Sequence, residues 1–131
     1  SIDVKTVDNN MVVVSHCGSR VADLDPIEWA HRVEANGAGE ILVNSIDRDG
    51  TRNGYDIPVL KMFSEAVSIP TIALGGVGDW KDFGEALETT KVEAVAAANI
   101  FHYYDQSVYI AKKWLLDHGY NVRPQDLLMN K

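Results

Sequence analysis

Four short apolar runs, each followed by a turn containing glycine, aspartate or asparagine and then by a stretch with helical spacing, restrict this chain to an α/β fold. The clearest of these units runs from Gly39 to Thr51. Ile41, Leu42 and Val43 form a continuous apolar run, as in a parallel strand covered on both faces, and Asp47, Arg48, Asp49, Gly50 and Thr51 follow at its C-terminal end. In α/β proteins that end of the strands is where ligands bind.

The first unit opens with Ser1-Ile2-Asp3-Val4-Lys5, read as a strand already under way at residue 1. A turn at Asp8-Asn9-Asn10 and a second extended run, Met11 to Val14, follow. Asp25 caps a helix with Pro26 at its first position, Glu28 placed for a capping box, and Ile27, Ala30 and Val33 as its stripe; Asn36-Gly37 ends it. The second unit's helix starts near Ile57 and carries Val59, Leu60, Phe63, Ala66 and Val67. In the third, Pro70 to Leu74 leads into Gly75-Gly76-Val77-Gly78, and Asp79 caps a helix bearing Trp80, Phe83, Ala86 and Leu87. The fourth has a small-residue strand, Ala94 to Ala98, a short helical turn at Asn99 to His102, and a last helix with Val108, Ala111 and Leu115 stopped by His118-Gly119.

No Pro/Ser-rich linker or low-complexity stretch divides the units, so residues 1–131 read as a single (β/α)4 unit. The repeat suits either a (β/α) barrel or a doubly wound sheet. Four units are half of an eight-stranded barrel and leave two strand edges and an inner face uncovered, which predicts a fragment of a longer barrel or a chain that self-associates.

A net charge of −7 disfavours a nucleic-acid backbone or an anionic membrane as the main partner. The single cysteine, Cys17, excludes an internal disulfide, and no apolar run has the length of a membrane span, so the cytoplasm is the expected compartment. His16, His31, His102 and His118 fall in separate elements without ligand spacing, so no metal is expected, and nothing in the residues calls for a cofactor. The helical Trp29, Trp80 and Trp114 read as packing between helix and sheet.

If the strands are parallel, Asp3 and Lys5, residues 44–51, residues 74–78 and residues 98–102 collect on one rim. The Gly75-Gly76 turn and the helix start at Ala98-Asn99 both offer free backbone N–H groups, a plausible phosphate cradle, with His102 nearby. Gly50 lets backbone approach a ligand closely. Asp3 is either a general acid or base at a strand end or a carboxylate paired structurally with Lys5 or Arg48. Glu40 lies at the opposite end of its strand, as a surface charge or a polar group at a barrel floor.

Several strings together resemble the HisF family, the cyclase subunit of imidazole glycerol phosphate synthase. They are Ser1-Ile2-Asp3-Val4-Lys5, Gly37 to Leu42, Ser45-Ile46-Asp47-Arg48-Asp49-Gly50-Thr51, Gly54-Tyr55-Asp56, Gly75-Gly76-Val77-Gly78 and Phe101-His102. The resemblance runs the whole length of the chain and implies the C-terminal half, strands five to eight, of a (β/α)8 TIM barrel. It also implies a lyase that closes an imidazole ring in histidine biosynthesis on a phosphorylated small-molecule substrate, with ammonia from a glutaminase (HisH-like) partner. By that resemblance Asp3 is one of two catalytic aspartates, the other belonging to the first strand of the barrel. Asp49 contacts substrate hydroxyls, Gly50, Gly76, Ala98 and Asn99 hold a phosphate beside Gly75, and Glu40 is one of the charged residues gating ammonia entry.

The chain departs from the family's usual Leu-Thr-Ser, Ala-Ser-Gly-Gly and Ala-Ala-Ser, carrying Val43-Asn44-Ser45, Ala73-Leu74-Gly75-Gly76 and Ala97-Ala98-Asn99 instead. Arg20 to Asp23 also lacks the usual Thr-Gly. These departures resemble a HisF-like branch associated with surface-polysaccharide (lipopolysaccharide) biosynthesis, in which a sugar precursor is amidated. Two other readings compete: a non-catalytic, phosphate-binding half-barrel that self-associates, and a flavodoxin-like binding domain. The second leaves the specific chemistry of Asp47 to Thr51 and Gly75-Gly76 unexplained.

Overall fold

The computed structural model describes residues 1–103 and 107–124, so the remainder of the expected 1–131 unit lies outside the described residues. Six strands form one sheet: β1 (Ile2–Val7), β2 (Asn10–Ser15), β3 (Arg20–Val21), β4 (Ile41–Ser45), β5 (Thr71–Leu74) and β6 (Ala94–Val95). Their spatial order is β3-β2-β1-β4-β5-β6. β1, β4, β5 and β6 are parallel neighbours, whereas β2 and β3 extend the sheet antiparallel beyond β1. Four helices accompany them, α1 (Pro26–Ala35), α2 (Ile57–Ala66), α3 (Trp80–Thr89) and α4 (Val108–Asp117), with a 3₁₀ turn at Asn99–His102. The four parallel strands with their helices are half of a (β/α)8 barrel.

The first unit is more elaborate than a simple βα repeat. Asp8 and Asn9 both adopt positive φ, +49° and +64°, and Val7 pairs directly with Asn10. Two left-handed central residues define the tight hairpin that suits the right-handed twist of its strands, so Asn10 belongs to β2 and not to the turn. The fourth strand is shorter than expected, because pairing with β5 stops at Val95 although Ala96 N still donates to Ala73 O at 2.8 Å.

Capping residues set the helix starts. Asp25 accepts from the amides of Ile27 and Glu28 (2.9 and 2.8 Å) and Pro26 occupies the first turn. No reciprocal bond from Glu28 accompanies this cap; the two-way box forms at α3, where Asp79 and Asp82 bond each other's backbone. Asp82 Oδ2 accepts from the amides of Gly78 and Asp79 at 2.8 and 2.9 Å, so a buried carboxylate fixes the entry to α3. His118 closes α4 as its C-cap, with Nδ1 2.8 Å from Trp114 O, and Gly119 follows at φ +83°.

One hydrophobic cluster joins sheet and helices. Ile2, Val4, Ile41, Val43 and Ala73 meet Ala30, Leu60, Phe63, Phe83, Ala86 and Leu115 within it. The strands alternate: Val43 and Ala73 are fully buried toward the helices, whereas Leu42, Asn44, Ile72 and Leu74 on the other face are half-buried. The apolar run of β4 is therefore covered fully on one face only, because among the described residues no second layer lies over the other. Val108 is 54% exposed, so the buried stripe of α4 consists of Ala111 and Leu115 without it. Trp80 stacks on Phe83 within α3 and lies beside Phe101 of the 3₁₀ turn, Trp114 stacks on His118 and Tyr120, and Trp29, Trp80 and Trp114 all pack against the cluster shared by sheet and helices.

A surface link ties α1 to the segment before β5: Glu34 Oε1 accepts from Ser68 Oγ at 2.5 Å and from Ser68 N at 2.8 Å. These bonds hold the Glu34 carboxyl below its ordinary pKa, the hydroxyl contributing most. Because the folded pKa is depressed, the stabilisation is present above the unfolded value of 4.5 and is lost as pH falls through the folded pKa. Glu34→Gln is expected to be less stable than the parent at neutral pH, with the difference shrinking on acidification through the carboxylate range. Urea unfolding of both proteins across that range checks it; a difference independent of pH would refute the role.

Candidate functional site

The parallel strands bring their C-terminal ends to one rim, and the loops after β4, β5 and β6 meet there. Asp49, Gly75, Gly76, Ala98 and Asn99 line one small pocket with Val77, Ala97 and Ile100. Five of the eight residues read from the sequence as a site thus converge on a single concavity. Gly50 adjoins it: Asn99 Nδ2 donates to Gly50 O at 3.3 Å, and Gly50 has φ +77° with open space where a side chain would begin. The amides of Gly76 and Asn99 have no acceptor among the described residues. Unpaired N–H groups on residues that line a concavity are suited to an anion.

The glycine pair has a second role that its sequence alone does not reveal. Gly54 N donates to Gly76 O at 2.9 Å, docking the loop after β4 on the turn after β5. A Cβ on Gly76 would lie 2.2 Å from Gly54 O and 3.0 Å from Arg48 Cβ, at a φ of +105°. Gly78 is equally confined, its Cβ position lying 2.2 Å from Arg52 O. These distances are far below contact, so the turn is glycine because backbone packs on backbone there.

Asp3 lies outside the pocket lining. It occupies a register row with Asn44 and Leu74, on the sheet face away from the helices and level with the C-terminal part of β4. Its Oδ1 accepts from Asn44 Nδ2 at 3.2 Å and from Ser1 Oγ at 3.4 Å. Neither Lys5 nor Arg48 pairs with it, which corrects the structural alternative: Arg48 Nη1 bonds Asn53 O at 3.3 Å, and the only ion pair among the described residues is the exposed Lys113–Asp117. Glu40 is exposed and immediately precedes β4, at the opposite end of the sheet from the pocket. His102 is exposed at the end of the 3₁₀ turn.

Sequence reasoning missed several residues that build the rim. Tyr55 Oη donates to Ala96 O at 2.7 Å, tying the start of α2 to the end of β6. Burial, with the Asp82 carboxylate adding to it, pushes the Tyr55 phenol far above its usual pKa and keeps it a neutral donor. Asp47 Oδ2 accepts from Thr6 N at 2.7 Å, and the Arg52 guanidinium lies 4.5 Å from the Tyr103 ring centroid. The Gly54-Tyr55-Asp56 string was the available signal for Tyr55; a long-range tyrosine partner has no signature in sequence. Asn44 stood out only as a departure from a family pattern. Among the described residues no group of three or more His, Cys, Asp or Glu is arranged to hold a metal, and no helix is long and apolar enough to cross a membrane.

Fold and rim together define a (β/α)-barrel half with its concavity at the strand C-termini. The sequence profile of the family described as histidine biosynthesis protein matches residues 1–107, and the chain belongs to that family. Among its relatives, the imidazole glycerol phosphate synthase subunit HisF of Chlorobaculum tepidum is 44% identical over 123 residues, covering 94% of this chain and 49% of the relative. Those of Prosthecochloris aestuarii and Chlorobaculum parvum are 44% and 45% identical over the same shares. The chain spans about half the length of the curated relatives it matches.

Gly76→Ala is expected to destabilise the chain by roughly 2–4 kcal/mol, because a side chain at positive φ would be driven into the Gly54 carbonyl. Gly50→Ala, with open space at the same point, is expected to lose only about 1 kcal/mol. Denaturant midpoints of the two variants test the contrast, and equal losses would contradict the docking argument.

Proposed function

We propose that this chain supplies the C-terminal half of a HisF-type cyclase subunit, a single (β/α)4 unit of a longer barrel. The completed barrel uses ammonia from a glutaminase partner to close an imidazole ring on a phosphorylated substrate, in the cytoplasm. The observation that carries this reading is the convergence of Asp49, Gly75, Gly76, Ala98 and Asn99 on one pocket in a chain 44% identical to HisF. In it, the amides of Gly50, Gly76, Ala98 and Asn99 hold a phosphate and Asp49 accepts from substrate hydroxyls. Asp3 moves protons as acid or base in ring closure and cleavage, and Glu40 admits ammonia at the far end of the barrel. The half alone lacks the partner aspartate, so it is expected to be inactive by itself.

Two measurements test this. Inorganic phosphate added to the 131-residue chain is expected to shift the backbone amide resonances of Gly76 and Asn99; an unchanged spectrum would remove the phosphate role. In the completed barrel, supplied with ammonium, Asp3→Asn is expected to lower kcat by about 10²–10⁴-fold, the usual range for removing an acid–base group. Full activity under conditions where chemistry limits the rate would sink that assignment. The same assay on the histidine-pathway intermediate separates the acceptors. Leu74 and Asn99, which replace small hydroxyl residues beside the pocket, favour an amidated sugar precursor if that intermediate is not turned over.

A second reading is favoured by the half-buried face of Asp3, Leu42, Asn44, Ile72 and Leu74: a non-catalytic phosphate-binding half-barrel that self-associates through that face. Sedimentation of the 14.5 kDa chain is expected to show a mass rising with concentration. A cooperative, stable monomer would contradict it.

A further inference from the structure

The Asn44 carboxamide combines two observations that the proposed roles do not use. Its Nδ2 donates to Oδ1 of Asp3 at 3.2 Å, whereas its own Oδ1 is buried with no hydrogen-bond partner. That buried oxygen lies against the glycine turn, 3.0 Å from the point where a Gly75 Cβ would be. Turning the amide over would not relieve it, because the carbonyl would then face a carboxylate that, when ionised, can only accept. The orientation is therefore set by Asp3, and the unpartnered acceptor is its cost. Both hydrogen bonds to Asp3, from Asn44 and from Ser1, fall on the same oxygen, and Oδ2 receives none among the described residues.

We propose that Asn44 is a positioning residue that holds Oδ1 of Asp3 and leaves Oδ2 as the oxygen through which Asp3 exchanges its proton. The proposal rests on the cyclase reading for what the proton is moved between, but not for the contact itself. Acting as base, Oδ2 takes the proton of a substrate N–H or O–H, and the bonding pair remains on the substrate atom. Acting as acid, Oδ2 returns that proton to a leaving nitrogen or oxygen, which keeps the pair of the breaking bond, and the carboxylate is restored. A carboxamide suits the task because its N–H₂ donates and cannot accept, so it cannot compete for the transferred proton. A threonine hydroxyl, usual at this position in the family, can donate to the same oxygen and can also accept.

The test pairs Asn44→Val with Asn44→Thr in the completed barrel with ammonium as nitrogen source; the two variants differ only in methyl against hydroxyl. Asn44→Val is expected to lower kcat on the order of 10²-fold with KM within about twofold, as for a misplaced reacting group, and Asn44→Thr to recover most of that loss. Unchanged kcat in Asn44→Val overturns the proposal, as does a rise in KM alone, which would mark Asn44 as a ground-state binding group. A second measurement does not depend on turnover or on the folding of those variants. In the 131-residue chain, Asp3→Ala is expected to move the Asn44 side-chain N–H resonance upfield, and a resonance that stays in place overturns the contact. A wild-type barrel inactive on every acceptor would defeat the cyclase reading, and the resonance would still decide whether Asn44 holds Asp3.

Discussion

The backbone docking of the loop after β4 on the turn after β5 is the constraint on which the rim depends. Gly54 N to Gly76 O is a single hydrogen bond at 2.9 Å, but the chains around it approach so closely that Gly76 and Gly78 leave no room for a methyl group. This contact fixes where Asp49 stands relative to Gly75 and Gly76. Asp82 holds the outgoing side of the same turn through the amides of Gly78 and Asp79, and Tyr55 carries the brace to the third strand end at Ala96. The pocket is thus a consequence of how three loops are pinned together. A pocket pinned at three points in this way is shaped before any ligand arrives, which reduces the ordering cost of binding.

Much of this architecture was legible in the sequence because it is written locally. Caps at Asp25 and Asp79 sit next to the segments they start, and the stripe of Leu60 and Phe63 repeats at helical spacing. The rim residues were legible for a different reason: parallel strands send their C-terminal ends to the same side, so Asp49, Gly75 and Asn99 were brought together by topology alone. What escaped is non-local. Nothing near Tyr55 announces Ala96, 41 residues away, and nothing in Gly76 distinguishes a glycine that admits a ligand from one that admits Gly54. The capping box was expected at Glu28 and formed at Asp82, because spacing permits the reciprocal bond without securing the side-chain geometry it needs.

Strand alternation links core and site more tightly than either description suggests. Val43 and Asn44 are consecutive, one fully buried against the helices and the other beside Asp3 on the opposite face. The same holds for Ala73 and Leu74. A slip of one residue in β1 or β4 would carry Asp3 or Asn44 into the helix-facing core and lift Ile2 or Val43 out of it. The apolar row therefore enforces the register that places the polar row. The hairpin strengthens this on β1, since a two-residue turn with both φ values positive permits little slippage of Val7 against Asn10. The position of Asp3 is held by the packing of Ile2 and Val4 on either side of it. Its proton chemistry, if it follows the proposed course, is set by Asn44 on the neighbouring strand.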